Sequence, residues 1–338
     1  LLGWPTKIRM GLEILRRPPR AKLPDRSVAD FIRDHYGQEA VDYLAEPLLA
    51  GVYGGDPEKL SVASVLSRFV ELEAKYGSLT RGVLAEMQRA HGKTGSVTLF
   101  RTLKSGLGTM VDRAVRAAGE KLEVVRGSAE TIEAAAGALR VRVDGNWIEA
   151  RDVVLACQTY QAAEVLEESN PDLARDLDAV PYSSSATVSL GYLRESFPHP
   201  LNGFGFLVPK RERARMVACT WVGTKFAYRV PPTHAMLRCF LGGDDVIRES
   251  DETLVEAVRG EIRRIMGVGT QPVFARVARW PRSMAQYTVG HEARVKRIEE
   301  RVAAVPGLHL AGNGYHGIGV PDCIRMGRDA ARAIASRQ

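Results

Sequence analysis

At 338 residues, 45% hydrophobic and 26% charged, the chain has the make-up of a soluble globular protein of two or three domains, and neither a disordered nor a collagen-like class fits it. No apolar run approaches the ~18 residues a spanning helix needs, and the four cysteines contain no C-x-x-C pair for zinc or a redox dithiol. The net charge of +7 comes without the aromatic-interleaved basic stripe of a nucleic-acid binder, so its clusters at 16–20 and 211–215 suit an anionic membrane surface, a substrate carboxylate or plain solvent.

Residues 1 to about 95 read as helical. Ile8, Leu12 and Leu15 follow Trp4 at helical spacing until Pro18-Pro19 ends the helix, and Ser27 with Asp30 reads as the cap and first turn of another. The apolar face with Trp4 packs on its own domain or lies in a membrane interface. Glu46 to Ser61 predicts a helix, a glycine turn at Gly54-Gly55 and a new helix after Asp56-Pro57.

Between Leu99 and Ala163 a helix is expected over 110–118, then strands at 122–125, 131–133 and 139–143. A hairpin turn at Asp144-Gly145-Asn146 returns the chain through Trp147-Ile148-Glu149, and a buried strand at 152–157 precedes a helix over 161–168. Strands dominate from Tyr182 to Trp280, at 186–192, 203–208, 216–221 and 236–241, bounded by Pro and Gly as in an antiparallel sheet. A long helix over 252–266 spaces Leu254, Val258 and Ile262 four apart, and Cys157, Cys219, Cys239 and Cys323 read as buried free thiols in a reducing compartment.

The most specific stretch is the last. A strand over 308–311 runs into Gly312-Asn313-Gly314-Tyr315-His316-Gly317-Ile318-Gly319-Val320-Pro321-Asp322-Cys323-Ile324, followed by a helix from Arg325 to Ser336. Such glycines let backbone N–H groups approach a flat or anionic ligand, and the following helix aims its positive end at the same place. A glycine-rich turn that binds nothing has the same glycines. No segment carries G-x-G-x-x-G between a strand and a helix; Gly106-Leu107-Gly108 comes closest.

The wording of this stretch resembles the C-terminal FAD segment of the protoporphyrinogen/coproporphyrinogen oxidases, in the amine-oxidase-like flavoprotein superfamily. Pro47-Leu48, Gly51-Val52-Tyr53-Gly54-Gly55-Asp56-Pro57 and Leu60-Ser61 resemble their helical membrane-associated domain. Gly203 to Pro209 is similar to their "G-F-G-x-L-V-P", and Trp280 with Gln286-Tyr287, Gly290 and His291 to their "W-x-x-x-x-P-Q-Y-x-x-G-H", with Ala285 in place of the common proline.

The resemblance implies an α+β or α/β fold: a truncated FAD-binding Rossmann-like domain, an antiparallel-sheet substrate domain and a helical membrane-associated domain. It divides the chain at 1–95 (helical), 96–168 (FAD domain), 169–290 (substrate domain) and 291–338 (FAD domain). The chain opens at Leu1, and the expectation is of a fragment lacking at least ~30 residues of the first βαβ unit, inactive by itself.

The implied activity is FAD-dependent oxidation of protoporphyrinogen IX to protoporphyrin IX with O2 as acceptor, in haem biosynthesis. Coproporphyrinogen III is the alternative substrate; another amine-oxidase-like flavoenzyme, or a porphyrin-binding scaffold, is the alternative class. FAD would be held by Ala129, Tyr287, Gly312, Asn313, Gly317, Ile318, Gly319 and Val320. Phe204, Gly205, Leu207, Thr220 and Phe240 would wall the substrate, and Thr220 departs from the usual aliphatic residue there. The flavin carries the chemistry, so no catalytic side chain and no metal is expected. A cytoplasmic location with peripheral membrane contact and a homodimer are expected on the same resemblance; a chelatase that takes up the product is a partner expected by pathway logic only, and nucleic acid is not expected.

Overall fold

The computed structural model describes residues 1–21, 23–90, 101–135 and 137–337. The expected boundary at 95/96 and Leu99 lie outside the described residues.

Helices come first: α1 (Trp4–Leu12), α2 (Val28–Tyr36), and α3 (Gln38–Ala40), which leads through one π-type turn into α4 (Glu46–Tyr53). The Ser27 Oγ accepts the Asp30 N–H at 3.0 Å, the expected cap of α2. Gly54, at φ 58°, ends α4 in the left-handed conformation that favours glycine. The next helix, α5 (Val62–Val65), does not begin after Asp56-Pro57 as its sequence predicts. Those residues form a turn, Leu60 and Ser61 make isolated strand bridges, and Ser61 is the cap. α6 (Ser67–Tyr76) and α7 (Leu79–Ala90) complete a core of Val28, Phe31, Leu49, Leu60, Leu72 and Leu79.

α1 buries none of its own residues: Trp4 is 77% exposed, with Ile8 and Leu12 also outside. Among the described residues, therefore, nothing of its own domain packs over Trp4, Ile8 and Leu12. Polar ties hold α1 instead. The Gly3 N–H donates to the Glu39 carboxylate, and just past the helix Glu13 is buried under His35, Ser78 and Thr80. Burial raises the Glu13 carboxyl, but the hydrogen bonds from those groups outweigh it and hold its pKa at about 2.

α8 (Gly108–Ala118) starts two residues before its expected position. Residues 122–125 form no strand: Leu122, Val124 and Val125 are exposed, and an apolar run of that length does not by itself choose a strand. β1 (Ala129–Ala135), β2 (Ala138–Val143) and β3 (Asn146–Ala150) form an antiparallel meander, turning at Asp144 and Gly145 with positive φ. β4 (Val153–Leu155), α9 (Thr159–Leu166) and α10 (Pro171–Asp178) follow.

The largest sheet is antiparallel, in the order β6-β7-β8-β5-β9, from β5 (Tyr182–Leu193), β6 (Gly205–Leu207), β7 (Met216–Trp221), β8 (His234–Gly242) and β9 (Phe274–Ala285). A short α11 (Val222–Lys225) follows β7, and α12 (Asp251–Met266) lies between β8 and β9. Val188, Leu190, Cys219, Leu237 and Cys239 on one sheet face pack with Leu254, Val258 and Ile262 of α12. Cys219 and Cys239 are buried and free as expected; Cys157 and Cys323 are free but only half-buried.

The chain then returns through α13 (His291–Ala303), β10 (Leu308–Leu310) and α14 (Val320–Ala335). β10 pairs parallel with β4, more than 150 residues earlier in the chain by the numbering. Leu155, Leu173, Leu177, Val295, Ile298, Leu308 and Met326 make a third core. The glycine stretch emerges from β10 at the end of this parallel pair, where ligands bind in open α/β sheets.

Candidate active site

Gly312 and Gly317 have φ of 137° and 120°, which side chains rarely adopt. At Gly314 a Cβ would meet Thr159 Cγ2 at 2.4 Å and the Tyr182 hydroxyl at 2.8 Å, so the loop lies tight on α9 and β5. α14 starts at Val320 rather than at Arg325 as the sequence predicts, because Pro321 falls in its first turn, where no N–H is needed. Its positive end therefore sits directly behind Gly317 to Gly319. Among the described residues the N–H groups of Ile318 and Gly319 have no acceptor, so two donors at that end are free for an anionic or carbonyl-bearing ligand.

Tyr287 fixes the loop from below. Its buried hydroxyl donates to the Asn313 carbonyl at 2.8 Å and accepts the Gly317 N–H at 2.8 Å, spanning the turn. Burial pushes the hydroxyl's pKa well up, so it stays a donor at any ordinary pH. The His291 ring stacks on Tyr287, with centroids 3.9 Å apart and planes 12° apart, and its Nε2–H donates to the Tyr315 carbonyl at 2.9 Å. Burial drives the His291 pKa down to about 4, leaving the ring neutral. The Asn313 side chain is also occupied, its Nδ2 donating to the Ser283 carbonyl at 3.0 Å.

Gln286 is the junction that the sequence reading passed over. Its buried Nε2 donates to the Tyr53 carbonyl at 2.8 Å, to Ser183 Oγ at 2.9 Å and to the Met284 carbonyl at 3.1 Å. The Ser61 N–H donates to the Tyr287 carbonyl at 2.7 Å beside it. The end of α4, the ends of β5 and β9, and the glycine loop thus converge. A buried amide next to the motif's tyrosine was the available signal.

The structure brings Tyr287, Gly312, Asn313, Gly317, Ile318, Gly319 and Val320 together. Ala129 stands apart, exposed at the start of β1 on the meander. The residues read as substrate wall divide. Leu207, Ala218, Phe240, Thr187 and Ala278 are cross-strand partners in one row, on the sheet face opposite α12. Gly205 and Thr220 pair in the next row. α4 lies over this face: a Cβ on Gly51 would stand 3.1 Å from Leu207 Cδ2 and 4.0 Å from Ala218 Cβ.

Phe204 precedes β6 and is 72% exposed. The glycines around it have a structural cause rather than a ligand. A Cβ at Gly203 would strike the Trp221 ring at 2.9 Å, and one at Gly205 would reach the Cys219 carbonyl at 2.0 Å. Among the described residues no group of His, Cys, Asp or Glu is placed to hold a metal ion, and no helix is long and apolar enough to cross a membrane.

A glycine-lined strand-to-helix loop with free N–H donors, tied to the end of an antiparallel sheet and to a helical layer, is an arrangement that suits a flavin-dependent oxidoreductase. The profile of the flavin containing amine oxidoreductases matches residues 1–335, and the chain belongs to that family. Its cofactor is FAD, and the open donors of Ile318 and Gly319 fit it. Coproporphyrinogen III oxidase from Bacillus subtilis (strain 168) is 31% identical, over 98% of this chain and 74% of its own length. A chloroplastic protoporphyrinogen oxidase of Oryza sativa subsp. japonica is 26% identical, over 99% and 68%. Among solved structures, a protein from Exiguobacterium sp. 255-15 described as a protoporphyrinogen oxidase superposes with a TM-score of 0.85 at 30% identity, over 100% of this chain and 73% of that one. Reduced UDP-galactopyranose mutase, at 14% identity and a TM-score of 0.72, shares the fold.

Proposed function

We propose that this chain is part of an enzyme that oxidises a porphyrinogen to the porphyrin in haem biosynthesis, with dioxygen as the electron acceptor. The observation that carries the reading is the convergence at Gln286 and Tyr287: one junction holds both the glycine loop and the start of a sheet face lined by Leu207, Ala218, Phe240 and Thr187. When bound, FAD supplies the hydride acceptor. The chain's own residues bind and orient. Free N–H groups at 318 and 319 and the α14 dipole favour negative charge on the bound cofactor. The apolar row offers a flat wall to a macrocycle, and α4 closes over part of it, limiting water. At the junction the Tyr287 hydroxyl is engaged by Asn313 and Gly317, and the His291 Nε2–H is turned to the Tyr315 carbonyl, so both side chains support the loop.

Coproporphyrinogen III is placed first and protoporphyrinogen IX second, the reverse of the order the sequence resemblance gives. The curated relatives named as oxidases of the former are 29–31% identical and those named for the latter 23–28%, while the solved structure described as a protoporphyrinogen oxidase is 30% identical. The membrane-associated role of residues 1–95 is a proposal supported by the exposed Trp4, Ile8 and Leu12 of α1. The four-segment domain division is likewise proposed, in keeping with the three separate cores.

The test is anaerobic reduction of the flavin-loaded enzyme by each porphyrinogen. Bleaching of the flavin with porphyrin fluorescence is expected, faster with coproporphyrinogen III. A flavin that neither compound bleaches would remove the porphyrinogen reading.

A further inference from the structure

The strand registers place two arginines where the sequence gives no hint of proximity. Gly205 pairs with Thr220, Thr220 with Arg238, Arg238 with Ser189, and Ser189 with Arg276, a single row across all five strands. Side chains alternate faces along a strand. Cys219, Leu237, Cys239, Val188, Leu190 and Val277 point to the α12 core, so Thr220, Arg238, Ser189 and Arg276 point to the other face. That is the face of Leu207, Ala218 and Phe240, one row away. Arg238 and Arg276 flank Ser189 across two strand spacings, about 10 Å.

Arginine on a packed sheet normally finds a carboxylate, as Arg279 of β9 does with Asp251. Among the described residues Arg238 and Arg276 have neither an ion pair nor a hydrogen bond, although Arg238 is half-buried. A half-buried guanidinium without an anion is costly unless one arrives with a ligand.

Position along the strands gives the direction. Ser183 of β5, held by Gln286, is beside the glycine loop's support. Ser185, Thr187 and Ser189 step away from it, so the arginine row lies about 20 Å from the flavin end. The apolar row at Thr187 and Phe240 lies between. A ligand on this face therefore meets a cofactor at one edge, an apolar wall beneath it and two guanidinium groups at its far edge.

We infer that Arg238 and Arg276, with Ser189 between them, bind carboxylates at the edge of the substrate remote from the flavin. On the reading proposed above, on which this inference rests, these are propionates of the tetrapyrrole. A guanidinium holds a carboxylate in a planar, two-point pairing that fixes orientation as well as charge. The pair thus acts as a substrate-binding and specificity-determining element and has no part in the chemical step.

The test uses the flavin-loaded enzyme with Arg238→Gln, Arg276→Gln, both together, and each Arg→Lys. Loss of one charge-assisted contact should raise KM for coproporphyrinogen III about tenfold, and the double change about a hundredfold, with kcat little altered. Lysine should restore part of the loss. Flavin absorbance and thermal midpoint should stay at wild-type values, since neither group holds the fold.

A second readout needs no turnover: fluorescence titration with oxidised coproporphyrin III and with its tetramethyl ester. Wild type should prefer the acid, and the double variant should lose that preference. Unchanged KM and unchanged acid preference, in an enzyme whose flavin porphyrinogen does bleach, would overturn the arginine row and leave the function standing. Equal weakening for acid and ester would also overturn it, as a packing effect. A wild-type enzyme that is neither bleached by porphyrinogen nor binds porphyrin would remove both.

Discussion

Taking one oxygen from Tyr287 isolates what holds the glycine loop. In Tyr287→Phe the ring still stacks on His291, but the Asn313 carbonyl loses its donor and the Gly317 N–H its acceptor. Leaving part-buried backbone groups unpaired costs about 1–3 kcal/mol each. Because Gly317 immediately precedes the free donors at 318 and 319, the expected result is a loss of flavin as well as of stability. Flavin-to-protein absorbance of the purified variant should fall, and added FAD should restore it partly. Full wild-type loading would mean that the loop holds its shape without the hydroxyl. The sequence identified Tyr287 through its motif, but left its hydroxyl's partner open; only the fold shows that both of its hydrogen-bonding roles go to the loop backbone.

At the scale of elements, α13 begins with its one buried histidine. His291 occupies the first turn, where the helix dipole opposes a positive ring, and burial opposes it more. In the unfolded chain the ring titrates near its ordinary 6.5; folded, near about 4. Between those values the unfolded state binds the extra proton, so stability is complete above pH 6.5 and is lost as the pH falls toward 4. The gap corresponds to at most about 3 kcal/mol. Denaturant unfolding at pH 7.5 and 4.5 should show wild type losing about 2 kcal/mol more than His291→Gln over that interval. Parallel losses would place the acid sensitivity elsewhere.

The same scale shows where local signals sufficed. Ser27, Gly54 and the Asp144-Gly145 turn act through their nearest neighbours and were legible. β9 was not, because Pro281 breaks its strand pattern; it is tolerated since β9 is the sheet edge. Residues 122–125 look like a strand only until one asks what they would pair with.

For the whole molecule, the sequence conveyed the family and the glycine loop, since each is written in contiguous residues. The arginine row and the Gln286 junction were hidden, because they depend on registers between strands tens of residues apart and on contacts between separate cores. Gln286 tests whether those cores act together. Its amide joins the end of α4, in the helical core, to β5 and β9, beside the residue that supports the glycine loop. Gln286→Glu keeps the size but removes the donor and puts carboxylate oxygen against three acceptors, so at least about 1–3 kcal/mol is lost at the junction while each core keeps its own packing. Heating the flavin-loaded enzyme while following flavin fluorescence and far-ultraviolet circular dichroism separates the two. In wild type, flavin release and loss of helix should coincide. In the variant, release should come several degrees earlier, because the loop loosens before the cores melt. If both signals shift together, the junction contributes only to global stability. If neither shifts, the three hydrogen bonds are dispensable and the cores are joined chiefly through Ser61 and Tyr287.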